Sequence, residues 1–143
     1  MHNGAHMKLV SACLAGIKCR YDGEARPCQK VIDMVKRGDA IPICPEQLGG
    51  LDTPRDPAEQ QGPKVFTKEG RDVTAQFERG ALEVLRIAKQ INCTDAILKS
   101  KSPSCGCGKV FDGTFSGKLI DGDGVTAKLL KQSGIKVITE NDI

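Results

Sequence analysis

Four short apolar runs along the chain are typical of buried strands. They cover residues 8–12, 40–43, 95–99 and 135–139 and are rich in Ala, Val, Leu and Ile. Pro42 lies inside the second run, and because proline has no backbone N–H to donate, this run is predicted to form a weakened or edge strand. The pattern predicts a sheet of about four or five strands.

Three segments between these runs have helical patterns. The first covers residues 27–37, begins with proline and stops at Gly38. The clearest is residues 73–91, where apolar side chains recur at helical spacing after Asp72, a residue that can cap a helix. The third opens after Asp121-Gly122-Asp123-Gly124 and ends at Ser133-Gly134. Because strands and helices alternate, we predict an α/β fold, a small three-layer Rossmann-like domain with a mostly parallel sheet.

Residues 48–69 fit neither the strand period nor the helix period. The segment contains six glycines and prolines, which disfavour regular secondary structure. They are Gly49, Gly50, Pro54, Pro57, Gly62 and Pro63. We therefore predict a long ordered loop. It is interpreted either as a wall or lid over a site or as a tolerated surface insertion.

The composition is that of one globular domain. The chain has 143 residues, of which 39% are hydrophobic and 27% charged, with a formal net charge of +3. Residues 1–6 read as a cloning remnant, which leaves residues 7–143 as a single domain. No apolar stretch reaches the roughly 18 residues of a membrane helix, and no secretory signal is visible, so a cytoplasmic location is expected. With four Phe, one Tyr and no Trp, the chain does not resemble a nucleic-acid binder.

The distribution of histidine and cysteine narrows the chemistry. Both histidines, His2 and His6, fall in the predicted remnant, so the domain itself has no imidazole for a nucleophile pair, a zinc site or a general base. Seven cysteines in a chain without an export signal are expected to stay reduced. Thiolate chemistry or metal binding is therefore the leading hypothesis.

Three cysteines follow three of the predicted strands. Cys13 and Cys44 come directly after the first two strands, and Cys105 lies a few residues beyond the third. Because the carboxyl ends of parallel strands share one edge of a sheet, these thiols can converge there. The chain has no Cys-x-x-Cys, which removes the usual zinc-ribbon, thioredoxin and ferredoxin signals. Any metal site must therefore be assembled by the fold.

A structural interpretation of the cysteines competes with the functional one. A single free cysteine after a strand is commonly a small buried hydrophobe. The glycine, proline and serine neighbours of the three thiols favour a ligand set instead. Cys28 and Cys93 lie in or beside helices and are interpreted as structural, whereas Cys19 and Cys107 stay ambiguous because each is close in sequence to a proposed ligand.

Several short motifs extend the pattern over nearly the whole chain from Met7. In order, they are Ser11-Ala12-Cys13-Leu14-Ala15-Gly16, Arg20-Tyr21-Asp22-Gly23, Cys44-Pro45-Glu46, Gly49-Gly50-Leu51, Pro54-Arg55, Lys101-Ser102-Pro103-Ser104-Cys105-Gly106, Asp112-Gly113-Thr114-Phe115 and Gly124-Val125-Thr126-Ala127. Together they resemble the signature set of the TudS-like 2-thiouracil desulfurases, a family long described only as a domain of unknown function.

The resemblance implies a cofactor and a reaction. The cofactor is a [4Fe-4S] cluster held by Cys13, Cys44 and Cys105, with one iron not ligated by protein and with loss of the cluster expected in air. The reaction converts the C=S of a thiolated pyrimidine, of the 2-thiouracil or 4-thiouridine monophosphate type, to C=O by non-redox sulfur abstraction. The implied partner is thus a small thiolated pyrimidine or its nucleotide, with no membrane and no nucleic acid.

The resemblance also implies roles for individual side chains. Glu46 would be the acid/base, although by spacing alone it reads as a helix cap or an arginine partner. Ser102 would orient substrate or relay a proton, although serine is also a common turn residue. The residues predicted to contact substrate are Ser11, Gly49, Arg55 and Lys101, and Arg20 and Lys99 lie close enough in sequence to offset cluster charge or to hold a phosphate.

Two departures from the family pattern and two other functions stay open. Cys107, and more weakly Cys19, could fill the fourth iron position and abolish activity. Phe111 stands where the family often has Tyr. The main alternative function is a non-catalytic nucleotide-binding module whose three cysteines hold zinc or stay metal-free. A third is a thiol redox enzyme acting through Cys105 and Cys107, two cysteines one residue apart, whose disulfide would be strained.

Overall fold

A four-stranded parallel sheet forms the centre of the computed structural model, which describes residues 7–143. The predicted cloning remnant, residues 1–6, lies outside the described residues. The strands are β1 (Lys8–Ser11), β2 (Ala40–Ile43), β3 (Ala58–Gln61), β4 (Lys64–Thr67), β5 (Asp95–Leu98), β6 (Lys109–Phe111), β7 (Leu119–Asp121) and β8 (Lys136–Thr139). The helices are α1 (Gln29–Lys36), α2 (Pro45–Leu48), α3 (Thr74–Gln90) and α4 (Val125–Gln132), with short 3-10 helices at Ala12–Ala15 and Glu140–Asp142.

The central sheet has the strand order β2-β1-β5-β8, and every pair in it is parallel. The four predicted strands and the parallel arrangement are therefore confirmed. The strand that contains Pro42 lies at the edge, where the missing N–H costs no ladder bond, as predicted.

Two apolar cores lie on the two faces of this sheet. Successive residues of a strand point to opposite faces, so Leu9 packs with α3 and α4 on one face while Val10 packs with α1 on the other. Both side chains are fully buried. This arrangement confirms the predicted three-layer α/β domain.

The helices form where the sequence predicts them, but some of them begin or end at other residues than predicted. Helix α3 begins at Thr74, one residue after the predicted start at Val73. Asp72 Oδ1 accepts the Thr74 N–H at 2.9 Å, so the residue that was predicted to cap this helix binds its first amide. Helix α1 begins at Gln29, two residues after the expected Pro27, because the preceding Cys28 has extended backbone. Within the described residues, no helix combines the length and apolar character of a membrane span.

The prediction of one long loop over residues 48–69 is wrong in part. Strands β3 and β4 form an antiparallel hairpin inside this segment, turning at Gly62 with a positive φ. Strand β3 has the sequence Ala-Glu-Gln-Gln, which gives no apolar alternation to detect. On β4, fully buried Val65 joins Phe77 in a third small core. A second hairpin, β6 and β7, has only three residues in each strand.

Helix α2 lies directly against helix α3 because two glycines face each other. A Cβ added at Gly49 would lie 2.0 Å from Gln76 O, and one added at Gly80 would lie 1.9 Å from Pro45 O. No side chain fits at either position without moving backbone. Since α2 follows Cys44 and contains Glu46, this contact fixes the position of both residues.

Candidate functional site

A cavity of about 470 Å³ opens at the carboxyl ends of the parallel strands. Ser11 ends β1 and Ile43 ends β2, and both line the cavity together with the segment 99–103 that follows β5. Cys13, Cys44 and Cys105 all line it as well. The expectation that three thiols distant in sequence meet at one sheet edge is therefore met by the geometry.

Cys13 is held in the short 3-10 helix that follows β1. Its carbonyl accepts the N–H of Gly16 at 3.2 Å and of Arg26 at 3.0 Å, so the turn is fixed from two sides. The side chain is buried, and burial raises the pKa of the Cys13 thiol to about 11, while the Arg20 guanidinium opposes this rise.

Cys44 joins β2 to α2 and has a second thiol beside it. A hydrogen bond from the Cys19 thiol lowers the pKa of Cys44, and the pKa of Cys19 is raised correspondingly because its proton is held in that bond. The Cys44 Sγ also lies 3.8 Å from the Cys19 carbonyl oxygen. Cys19 is buried and contacts a proposed ligand, but it is not among the residues that line the cavity.

Cys105 is presented by a tight loop that also caps helix α4. The Ser102 hydroxyl accepts the N–H of Ser104 at 3.1 Å and of Cys105 at 3.0 Å. The carbonyls of this loop accept amide N–H groups at the start of α4, including Thr126 N to Ser104 O at 2.8 Å. A Cβ at Gly124 would lie 2.4 Å from the Ser104 carbonyl carbon, so glycine is required for this close approach.

Ser11 connects this loop to strand β1. Its Oγ accepts the Lys99 N–H at 2.8 Å and hydrogen-bonds the Cys105 thiol. Burial raises the pKa of Cys105, and the hydrogen bond from Ser11 opposes that rise. Ser11, which was predicted to contact substrate, thus lies in the cavity and contacts a proposed ligand.

Glu46 and Arg55 form a partly buried ion pair on the cavity wall. Arg55 Nε donates to Glu46 Oε1 at 2.9 Å, and the exposed fractions of the two side chains are 8% for Arg55 and 16% for Glu46. The guanidinium also donates to Cys19 O at 2.9 Å and to both Asp52 O and Thr53 Oγ1 at 3.0 Å. These bonds use four of the five guanidinium N–H groups, so Arg55 chiefly positions Glu46, the backbone at Cys19 and the turn at residues 52–53.

A second acidic residue, Glu140, holds another part of the wall. Its carboxylate accepts Lys99 Nζ, Ser100 N and Ser100 Oγ, each at 2.8 Å. Burial acts to raise the pKa of Glu140, but these hydrogen bonds outweigh it and the net pKa is lowered. The partners are 40 and 41 residues apart in sequence, so no local pattern could have indicated this contact.

The other residues that were predicted to belong to the site lie partly inside and partly outside the cavity lining. Lys101 and Ser102 line the cavity, but Gly49 does not, and its close backbone approach is to helix α3. The Cys107 Sγ donates to Val137 O at 3.5 Å and packs against the core beneath α3 and α4, outside the cavity lining. Cys107 is therefore a core residue in this structure and lies outside the cavity that the three proposed ligands line.

Aromatic side chains on the outer wall were not identified from the sequence as site residues. Tyr21, Phe111 and Phe115 all line the cavity. Phe115 has a positive φ of 57°, and its loop is held because Glu59 accepts its N–H at 3.1 Å. Pro57, Ala58 and Glu59 also line the cavity, so the segment predicted as a loop does form a wall. The available signals were the motifs that contain Tyr21 and Phe115 and the position of Phe111 next to the second of these motifs.

The cavity contains one orphaned polar atom. Arg20 Nε is buried without a hydrogen-bond partner among the described residues, although Arg20 lines the cavity. Within residues 7–143, no three His, Cys, Asp or Glu side chains are grouped to hold a single metal ion. A four-iron cluster is larger than one ion, so its ligands need not converge on one point. Three soft thiolate donors lining one cavity fit such a cluster.

A parallel α/β domain with three cysteines around a cavity at its strand ends is a class of architecture suited to a sulfur-ligated cofactor. The chain belongs to the 2-thiouracil desulfurase family, whose model matches residues 9–142. It is 48% identical to the uncharacterized protein YbbK of Bacillus subtilis (strain 168) over 147 residues, covering 96% of this chain and 97% of that protein.

A solved structure has the same fold. It is that of the [4Fe-4S]-dependent thiouracil desulfidase TudS, with a TM-score of 0.92 and 42% sequence identity. The match covers 96% of this chain and 93% of that one.

Proposed function

We propose that this protein is a [4Fe-4S]-dependent desulfurase that converts the C=S group of a thiolated pyrimidine to C=O. The observation that carries the proposal is the meeting of Cys13, Cys44 and Cys105 at one cavity that Glu46 also lines. Family membership and the similarity to TudS support it. We place the reaction in the cytoplasm, where thiols stay reduced.

The three cysteines are the residues that would hold the cluster. When bound, a thiolate-ligated iron cluster with an open position supplies a soft Lewis acid that favours sulfur donors. The pKa values of Cys13 and Cys105 are raised by burial in the metal-free chain, so their protons must leave when a metal binds. Loading should therefore be favoured by raising the pH.

Glu46 is the group we assign to proton transfer. Arg55 occupies Oε1, and no hydrogen bond within the described part of the chain involves Oε2. That oxygen can accept one proton from the attacking water and later deliver it to the sulfur that leaves, and the second proton of the water follows when the C=O group forms. The balance is one water consumed and one hydrogen sulfide released, with no net electron transfer. Ser102 accepts two amide N–H groups and keeps its own O–H proton free to donate to substrate.

The cavity also carries groups suited to a pyrimidine nucleotide. Tyr21, Phe111 and Phe115 provide flat apolar surface against which a ring can pack. Lys68 and Lys101 line the cavity, are exposed and form no ion pair within the described residues. These two ammonium groups are suited to a phosphate, which favours a thiolated nucleotide over the free base.

Iron, sulfide and product measurements on anaerobically reconstituted protein test the function. We expect about four irons per chain, with sulfide released from 2-thiouracil or 4-thiouridine monophosphate. Cys105→Ala should lose iron, whereas Glu46→Gln should keep it and lower kcat by about 10²–10⁴-fold. Cys93→Ser, a buried cysteine outside the cavity lining, is the control. A fully loaded protein that releases no sulfide from any thiopyrimidine would disprove the assignment.

The second candidate is a nucleotide-binding module with a zinc-bound or metal-free site. One observation favours it, namely that burial raises the pKa of Cys13 and of Cys105, so two of the three thiols resist ionisation when no metal is bound. Metal analysis separates the two candidates. Colourless anaerobic protein that binds a nucleotide and contains zinc or no metal would support the module.

A further inference from the structure

Two Arg-x-Asp pairs in the chain differ in how the arginine is satisfied. In the surface pair, Arg37 Nε donates to Asp39 Oδ2 at 3.0 Å. In the cavity pair, Arg20 Nε lies 3.5 Å from Asp22 Oδ1 and makes no hydrogen bond. The same spacing therefore gives an Nε–H group that is hydrogen-bonded at the surface and one that is buried without a hydrogen bond in the cavity.

The carboxylate of Asp22 is engaged by its own turn. Its Oδ1 accepts the Glu24 N–H at 3.0 Å, and Arg26 Nη2 approaches Oδ2 at 3.8 Å. The turn is closed by the Gly23 N–H to Arg20 O bond at 2.9 Å. Because Asp22 is held in this way, Arg20 Nε is left without an acceptor.

Leaving a buried N–H without a hydrogen-bond acceptor is unfavourable, so such groups are rare unless something absent from the protein alone accepts the bond. Arg20 Nε is the only buried side-chain nitrogen or oxygen in residues 7–143 that lacks a hydrogen-bond partner. Its guanidinium lies 5.4 Å from the Tyr21 ring centroid, which limits its freedom. The donor is thus held in place at the wall of the cavity.

We propose that Arg20 is a positioning residue for the cofactor: its Nε–H donates to a sulfur atom of the cluster assembly beside Cys13. The acceptor is either the Cys13 thiolate or an inorganic sulfide next to it, since both are anionic sulfur. This inference rests on the proposed function. Arg20 and Cys13 line the same cavity, in agreement with that location. The guanidinium would stabilise the more negative, reduced cluster and protect it from loss.

The test compares Arg20→Gln and Arg20→Lys with Arg37→Gln, the matched control in the satisfied surface pair. Anaerobically loaded proteins are measured for reduction potential and for the half-life of visible absorbance in air. Arg20→Gln is expected to have a more negative potential and a several-fold shorter half-life. Arg20→Lys, which keeps the charge but not the fixed N–H, should fall between, and Arg37→Gln should match the wild type.

Two further measurements identify the acceptor. Nitrogen NMR of the arginine Nε–H should show a shift on cluster loading in the wild type. Loading with selenide in place of sulfide changes the inorganic atoms only, so a further shift assigns the bond to them, and an unchanged signal assigns it to the Cys13 thiolate.

Failure of this inference is separable from failure of the proposed function. If wild-type protein never binds iron, the proposed function fails. If wild type and Arg20→Gln load equally and have the same potential and half-life, the role of Arg20 is disproved while the desulfurase assignment stands. A raised KM for 4-thiouridine monophosphate with an unchanged potential would also overturn it, because Arg20 would then bind substrate phosphate.

Discussion

The Cys19 thiol is hydrogen-bonded to the thiol of Cys44, which lines the cavity. Cys44 accepts a hydrogen bond from the Cys19 thiol, which stabilises the Cys44 thiolate and lowers its pKa. Cys44 is therefore the most readily ionised of the three proposed ligands in the metal-free protein, since burial raises the pKa of the other two. A thiolate is the form that reacts with metal ions and alkylating reagents, so Cys44 should be the first ligand to engage either.

Cys19→Ala should raise the pKa of Cys44. Loss of the donor removes stabilisation of the charged form only, so the pH at which Cys44 becomes reactive should increase. The measurement is the pH dependence of iodoacetamide labelling of the metal-free protein, read at Cys44 by mass spectrometry. Cys28→Ala is the control because Cys28 lies at the start of α1 and outside the cavity lining. Identical labelling curves for wild type and Cys19→Ala would contradict the coupling.

At the scale of elements, the sequence predicted the strands and helices whose hydrophobic residues follow a clear local pattern. The four apolar runs and the long helical period were sufficient for β1, β2, β5, β8 and α3, and strand order then brought three cysteines together. The hairpin β3–β4 was missed because its first strand is polar and is anchored by Glu59, which accepts the amide N–H groups of residues 113 and 115. Such contacts join residues more than 50 positions apart, which no local period reveals.

Gly80→Ala tests whether the contact between α2 and α3 positions the site. Alanine in a helix normally gains about 1 kcal/mol over glycine. Here its Cβ would lie 1.9 Å from Pro45 O, a backbone atom that cannot turn aside, so the sign reverses. We expect a net loss of about 1–3 kcal/mol in the free energy of unfolding and reduced activity through displacement of Glu46.

Urea unfolding of the metal-free protein measures this effect, and Leu82→Ala is its control. Leu82 lies on the same helix with an exposed fraction of 55%, so its change should stay within about 0.5 kcal/mol. A stabilised Gly80→Ala protein would mean that the two helices can separate without cost.

For the whole molecule, the C-terminal segment is part of the site wall although it is distant in sequence from the cysteines. Strand β8 ends in a capping box, in which Thr139 Oγ1 accepts the Asn141 N–H and Asp142 accepts the Thr139 N–H. This turn places Glu140 against Lys99 and Ser100. The C-terminal segment therefore holds the loop that leads from β5 to Cys105 in place. Disrupting this segment should lower the free energy of unfolding of the whole protein.

The stability of the protein should depend on pH through Glu140. Because the folded-state pKa of Glu140 is lowered, its contribution is present in full above the unfolded pKa of about 4.3 and is lost as pH falls through the folded pKa. Glu140→Gln removes the charge at every pH, so this variant should be less stable than the wild type near neutrality, and the difference should shrink in acid. Thermal unfolding of the metal-free proteins from pH 7 down to pH 3 measures this difference, with exposed Glu69→Gln as the control. A stability difference that is independent of pH would show that Glu140 acts through packing and not through its charge.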